Sequence, residues 1–311
     1  VARQSARNGE NPHTFRYYYG PQHTITRLPM SWYHYLLPYD FSPLTLIAFV
    51  VVLTMYLQGL YALPAEERPG ALRVFTFLLG LLLCYTVMHT RFDYYSQYMF
   101  FIHRGQHLVL HHLGPLLLVL SNPLPIMRFW ARQIPGWLGP VLWPVKMAYR
   151  VLQQPLIAAT LFVGLIYLWL TPELHFDAML SRPLYWLMNW SMLLDGLLFW
   201  WLILDPRSPH TERVLGYGKR IILLVLIIPP QSALGAWILF SDSMVYDVYE
   251  VCGRAWPLAP ETDQMLGGIL TWIPPAMMSG IAILIVVGRM MRDDRNSAKT
   301  QQADEAGEVH A

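Results

Sequence analysis

The chain has 311 residues, of which 55% are hydrophobic and only 14% charged, and it carries 12 Trp, 18 Tyr and a formal net charge of +2. A water-soluble domain normally holds about a quarter charged residues, so the deficit excludes a surface that meets water throughout. The near-neutral charge, with no basic stripe among the aromatics, argues against a nucleic-acid partner.

In chain order, residues 1–42 form a polar arm that turns aromatic at 31–41, SWYHYLLPYDF. Such a stretch suits a membrane–water interface, where amphipathic rings settle. The arm has no apolar run behind a basic start, so no cleavable signal is expected. A spanning helix needs about 20 mostly apolar residues. Seven runs qualify, at 43–63, 71–90, 97–120, 150–171, 182–204, 217–241 and 263–290. The fold class expected is therefore all-α: a polytopic membrane protein of about seven transmembrane helices within 43–291. The polar segment 292–311 is expected to be a disordered cytoplasmic tail.

Lys and Arg concentrate on the cytoplasmic side of membrane proteins. With seven spans, the loops on the face of the C-terminus hold fourteen Lys and Arg and the other face holds seven, Arg104 lying within a span. The C-terminus and the loops 121–149 and 205–216 are expected in the cytoplasm and the N-terminus outside.

The third run carries the chemistry. Met99, His103, His107 and His111 recur every four residues, and His112 follows. Residues four apart share a helix face, and the stripe drifts about 40° per step because the α-helix has 3.6 residues per turn. His103 and His107 can therefore share one ion, with Met99 and His111 joining from the ends. His112 points about 100° away from His111, so it need not serve the same site and is, with Asp195, a lesser metal candidate. Imidazole suits copper, zinc and iron, and a thioether tilts the choice to Cu(I). His89 ends the second run at a similar level and is a further candidate ligand, as are His13, His23 and His34 of the arm. His175 and the arm histidines read, one by one, as solvated loop residues. Asp195, in the middle of WSMLLDGLLFWW, is expected to be neutral or paired, because a lone carboxylate in hydrocarbon is costly. Asp263 and Gln264 are placed to cap the seventh span. Two cysteines, Cys84 and Cys252, with no CxxC, make neither a disulfide framework nor a c-type haem attachment. No nucleophile elbow, P-loop or HExxH is present.

Three stretches resemble the seven-span CtaG family of cytochrome c oxidase assembly proteins, as distinct from the single-span copper chaperone of the same name. They are FFIHRGQHLVLHHLGPLLLVLSNP, GLLFWWLILDP and DQMLGGILTWIPPAMMSGIAILIV, with HFDAML at 175–180 as a weaker fourth. The resemblance implies a bacterial inner-membrane factor that supplies copper to a haem–copper oxidase, without turnover chemistry of its own. It implies an oxidase subunit or a copper chaperone as partner. His103 and His107 match the family's paired His of the third span, while Trp186 and Trp190 stand where the family commonly carries a second pair. Two other readings remain. One is a haem-binding subunit of an electron-transfer complex with axial His ligands, which needs a His from another element. The other is a purely structural membrane subunit.

Overall fold

A computed structural model describes residues 37–309 apart from 39, 211 and 213, with the backbone alone from 300 onward. Most of the arm, including His13, His23 and His34, lies outside the described residues.

The described chain is all helical. Helix α1 (Pro43–Ala62) starts where Ser42 accepts the Thr45 amide and Pro43 takes the first helical position, a place where a missing N–H costs nothing. Helix α2 (Ala71–His89) follows a short polar turn. Both present apolar side chains outward, among them Leu44, Ile47, Leu72, Phe75 and Leu82, each more than half exposed. Exposed apolar surface on this scale fits acyl chains. Among the described residues, five helices are long and apolar enough to cross a membrane, and up to seven spans result if each of two sharply bent helix pairs counts as one.

The third run is not one regular helix. A short helix α3 (Arg91–Tyr98) precedes it. Met99 then adopts an extended backbone, φ −142° and ψ 122°, and α4 (Phe100–His107) begins behind it. Asp263 was expected to cap its own helix. Its carboxylate instead accepts the amides of Phe100 and Phe101 at 3.0 and 2.8 Å and is held by Arg254. An anion at the positive end of α4 satisfies amides that have no intrahelical partner. Gln264 likewise ties a loop, accepting from the Val245 amide and donating to the Ser243 carbonyl.

Beyond α4 the helix widens into a π-turn over Leu108–Leu113 before α5 (Gly114–Leu120). Pro115 explains the widening. Its ring crowds the carbonyl four residues back and it has no N–H to donate there. That carbonyl belongs to His111, and it accepts the indole N–H of Trp200 at 3.2 Å.

Helices α6 (Leu124–Gln133) and α7 (Gly139–Leu152) occupy the expected loop 121–149. Each is bent by 82° from its neighbouring span, α6 from Phe100–Leu120 and α7 from α8 (Pro155–Trp169). The fourth run was expected at 150–171. The structure starts it at Pro155, because the break at Gln153 and Gln154 turns the chain. A short helix α9 (Pro172–Leu180) leads into α10 (Arg182–Leu204). The latter is the central span: 61% of its apolar window is buried, against 22% for α1.

Helix α11 (Tyr217–Leu239) and, after a single-turn α12 (Val248–Val251), the long α13 (Pro260–Val309) complete the bundle. A Cβ on Gly268 would lie 2.7 Å from the Leu239 amide nitrogen, so the missing side chain lets α11 and α13 touch through backbone. Helix α13 runs on past Met291 through the polar segment to Val309, where a disordered tail was expected.

Candidate functional site

Helix α4 and the π-turn carry the buried histidines into the middle of the bundle, between α10 and α13. His103, His107, His111 and His112 are each 3% exposed or less. They fall into two neighbouring groups.

The first group joins His103, His107 and His175. The His103 ring lies 4.4 Å from that of His107 and 5.1 Å from that of His175, between centroids. Neither ring nitrogen of His103 has a hydrogen-bond partner among the described residues. A buried polar atom without a partner costs about 1–3 kcal/mol, so two on one ring mark a place poised to bind something. His107 contacts the Asn189 carbonyl oxygen through Nε2 at 3.2 Å. Oxygen accepts, so Nε2 carries the proton and Nδ1 keeps its lone pair. That Nδ1 lies 3.4 Å from the Arg104 guanidinium, which also donates to Thr271 at 2.9 Å.

His175 is not a solvated loop residue: it is 1% exposed. Its Nδ1 donates to the Trp169 carbonyl at 3.0 Å and its Nε2 accepts from the Tyr249 hydroxyl at 3.1 Å. Burial, reinforced by the Arg104 charge, pushes its imidazole down to about 3 and keeps it neutral. The sequence signal for it was HFDAML, the weakest stretch of the resemblance.

The second group is His111, His112 and Asp195. His111 Nε2 meets Asp195 Oδ2 at 3.0 Å, the partner that Asp195 required. The wide π-turn sets the two rings 4.8 Å apart, both against Phe162. His111 Nδ1 and both His112 nitrogens lack hydrogen-bond partners among the described residues. A cavity of about 10 Å³, bordered by His107, His111, His112, Arg104 and Thr271, links the groups. That is room for about one water.

Met99 is fully buried at the head of α4, with its carbonyl accepting the His103 amide. His89 stands apart. Its Nε2 accepts the Ser42 amide at 3.0 Å and its Nδ1 meets the Tyr85 hydroxyl at 3.0 Å, so it ties α2 to the start of α1. Trp186 and Trp190 lie 5.7 Å apart, ring to ring. No three of the described His, Cys, Asp or Glu side chains converge as a ready metal site. His103 as a neutral imidazole has one lone pair to offer, and His107 Nδ1 already faces the Arg104 guanidinium, so the donor set is open and incomplete rather than a closed cage.

Sequence reasoning passed over the polar floor beside this group. A cavity of about 620 Å³ is bordered by Met88, Asp93, Met179, Tyr185 and Asn189, and Asn189 is the residue that holds His107. Asp93 accepts from Tyr185, Gln106 and Gln97 at 2.8, 2.8 and 3.2 Å. Burial outweighs these bonds and pushes its carboxyl up to about 6.

The family model of the cytochrome c oxidase caa3 assembly factor matches residues 54–293. The chain belongs to this family. All the buried histidines of spans and loops described above fall within the matched region. An uncharacterised protein of Mycobacterium leprae is 28% identical over 219 residues, 66% of this chain and 32% of that protein. Uncharacterised proteins of Mycobacterium bovis and Mycobacterium tuberculosis are each 27% identical over 292 residues, 89% of this chain and 42% of theirs. The chain thus spans about a third to two-fifths of the length of these relatives. No solved structure matches it.

Proposed function

We propose that this member of the caa3 assembly-factor family acts in the maturation of a haem–copper oxidase, and that His103 and His107 hold copper as a cargo. The observation that carries the reading is His103: a fully buried imidazole with neither nitrogen hydrogen-bonded among the described residues, 4.4 Å from a second imidazole. Met99, four residues before it in the chain, is fully buried, and thioether with imidazole suits Cu(I). The Arg104 guanidinium lowers the affinity of any cation beside His107 by Coulomb repulsion, which fits a cargo that must leave again. Asn189 fixes the His107 tautomer, so that Nδ1 carries the lone pair, and an ion there would displace the Arg104 guanidinium that now faces it. The chain's partners in this reading are an oxidase subunit or a copper chaperone, and its own part is binding and release.

Ring separations of 4.4 and 5.1 Å around His103 leave no space for a haem between His103 and either His107 or His175.

Purified protein exposed to Cu(I) is expected to keep about one ion per chain, and the paired changes His103→Ala and His107→Ala to abolish it. In cells the same pair should lower oxidase activity while the protein still inserts. Retained copper in the double variant would remove this pair from the site. A wild type that never holds copper would leave the histidines a structural role.

A further inference from the structure

The two helices between the third and fourth runs belong to none of the chemistry above. Segment 121–153 contains Arg128, Arg132, Lys146 and Arg150 and no Asp or Glu. At 100° per residue, Ile126 and Trp130 share one face of α6 and Arg128 and Arg132 the opposite one. The first face docks on α1: Trp130 donates to the Met55 carbonyl at 2.9 Å, and Ile126 and Trp130 border Gly59. The cationic face therefore points away from the bundle.

Helix α7 has the same division without any protein cover. Lys146 and Arg150 lie on one face, and Val141, Val145, Ala148 and Leu152 on the other. No side chain of α7 is buried against the described residues. Val141, Val145 and Trp143 are 64, 63 and 61% exposed, and Trp137, just before the helix, is 73% exposed. Both helices stand 82° from the spans they adjoin, so they run along a membrane surface that the spans cross.

We propose that the α6–α7 hairpin lies flat in one membrane interface and recognises anionic lipid headgroups. Its apolar face of Val141, Val145 and Leu152 enters the acyl boundary. Arg132, Lys146 and Arg150 sit at the level of the headgroups, and Trp143 shares their face of α7 at that level. The occupant follows from charge: a helix with a cationic face, an apolar face and no acidic residue matches an anionic lipid surface. Arg128 is set aside, because it pairs with Glu212 at 3.2 Å. This inference is independent of any bound metal.

The test uses the full chain in vesicles of phosphatidylcholine with phosphatidylglycerol. Spin labels are placed one at a time at positions 141, 145, 146 and 150, with Cys252→Ser in the background; Cys84 is buried. Dissolved oxygen should relax labels at 141 and 145 more than a water-soluble nickel chelate does, and the order should invert at 146 and 150. Spin-labelled phosphatidylglycerol should associate with the protein in preference to phosphatidylcholine. The triple change Arg132→Gln, Lys146→Gln and Arg150→Gln should lower that preference about fivefold for each cation at low salt. The charge-conserving changes Arg132→Lys and Arg150→Lys should retain it. A nickel chelate that reaches 141 and 145 as freely as 146 and 150 would leave the apolar face for a protein partner and overturn the proposal. Equal association of the two lipids with the wild type would overturn it as well.

Discussion

Single residues here divide between those that a buried position forces into partnership and those it leaves waiting. Asp195 was expected to need a partner and has one in His111. Asp263 is fully buried, and its two oxygens satisfy the start of another helix. His103 is equally buried and has no hydrogen-bond partner among the described residues. Sequence spacing located His103 and His107 because i and i+4 on a helix are neighbours whatever surrounds them. It could not show that Asn189, Arg104 and His175 close around them, because those contacts join residues of distant elements. Nor could it weigh Asp93, whose burial depends on α2, α4 and α10 together. That burial gives a prediction. Asp93 titrates near 6 in the folded chain and near 3.9 when exposed. Folding thus favours its protonated form: the stabilising effect is complete below about pH 4 and is lost as the pH rises through about 6. The thermal midpoint in detergent, compared between wild type and Asp93→Asn, should fall with rising pH in the wild type relative to the variant, by at most about 3 kcal/mol of stability. Parallel curves from pH 4 to 7 would contradict the assignment.

At the scale of elements, the apolar runs of α1, α2, α10, α11 and α13 were legible because 20 apolar residues in a row have few other uses. The third and fourth runs were misread at their edges for local reasons. Met99 breaks the helix because Asp263 caps the amides behind it. Gln153 and Gln154 turn the chain ahead of Pro155, and the apolar composition of α7 hid the turn. The π-turn at Leu108–Leu113 is the element with most consequence, since it carries His111 and His112, both of which pack on Phe162. It depends on α10 as well as on Pro115. A Cβ on Gly196 would lie 2.5 Å from the His111 carbonyl oxygen, and backbone cannot yield as a flexible side chain does. Gly196→Ala is expected to lower stability by about 1–3 kcal/mol and to loosen the contact between His111 and Asp195, whereas Gly164→Ala, with open space around its Cβ position, should be close to neutral. Thermal unfolding of the two variants side by side checks this. Equal midpoints would mean that α10 does not press on the π-turn.

For the whole molecule, the direction of insertion decides which compartment the histidine groups serve. The Lys and Arg of the described chain gather at one end of the bundle: Arg132, Lys146 and Arg150 on the interfacial helices, Arg207, Arg220 and Arg289 around the end of α10. Two of these are structural. Arg220 donates to the Leu215 and Asp205 carbonyls at 2.7 and 2.8 Å, and Arg289 to that of Leu204 at 2.6 Å, which places positive charge at the negative end of a helix. Arg207 is held by Asp205. The orientation signal therefore rests on the cations that make no such contact, chiefly Arg132, Lys146 and Arg150, and these are the ones on the interfacial hairpin. If that end faces the cytoplasm, as the Lys and Arg distribution predicts, His103 lies in the outer half of the membrane, and the proposed copper would reach it from outside. Single cysteines at 132 and 146 should resist a membrane-impermeant thiol reagent applied to intact cells and react once the membrane is permeabilised, while a cysteine at 173, at the start of α9, should react in intact cells. Labelling of 132 and 146 from outside would reverse the insertion and put His103 in the inner half, where copper would have to arrive from the cytoplasm.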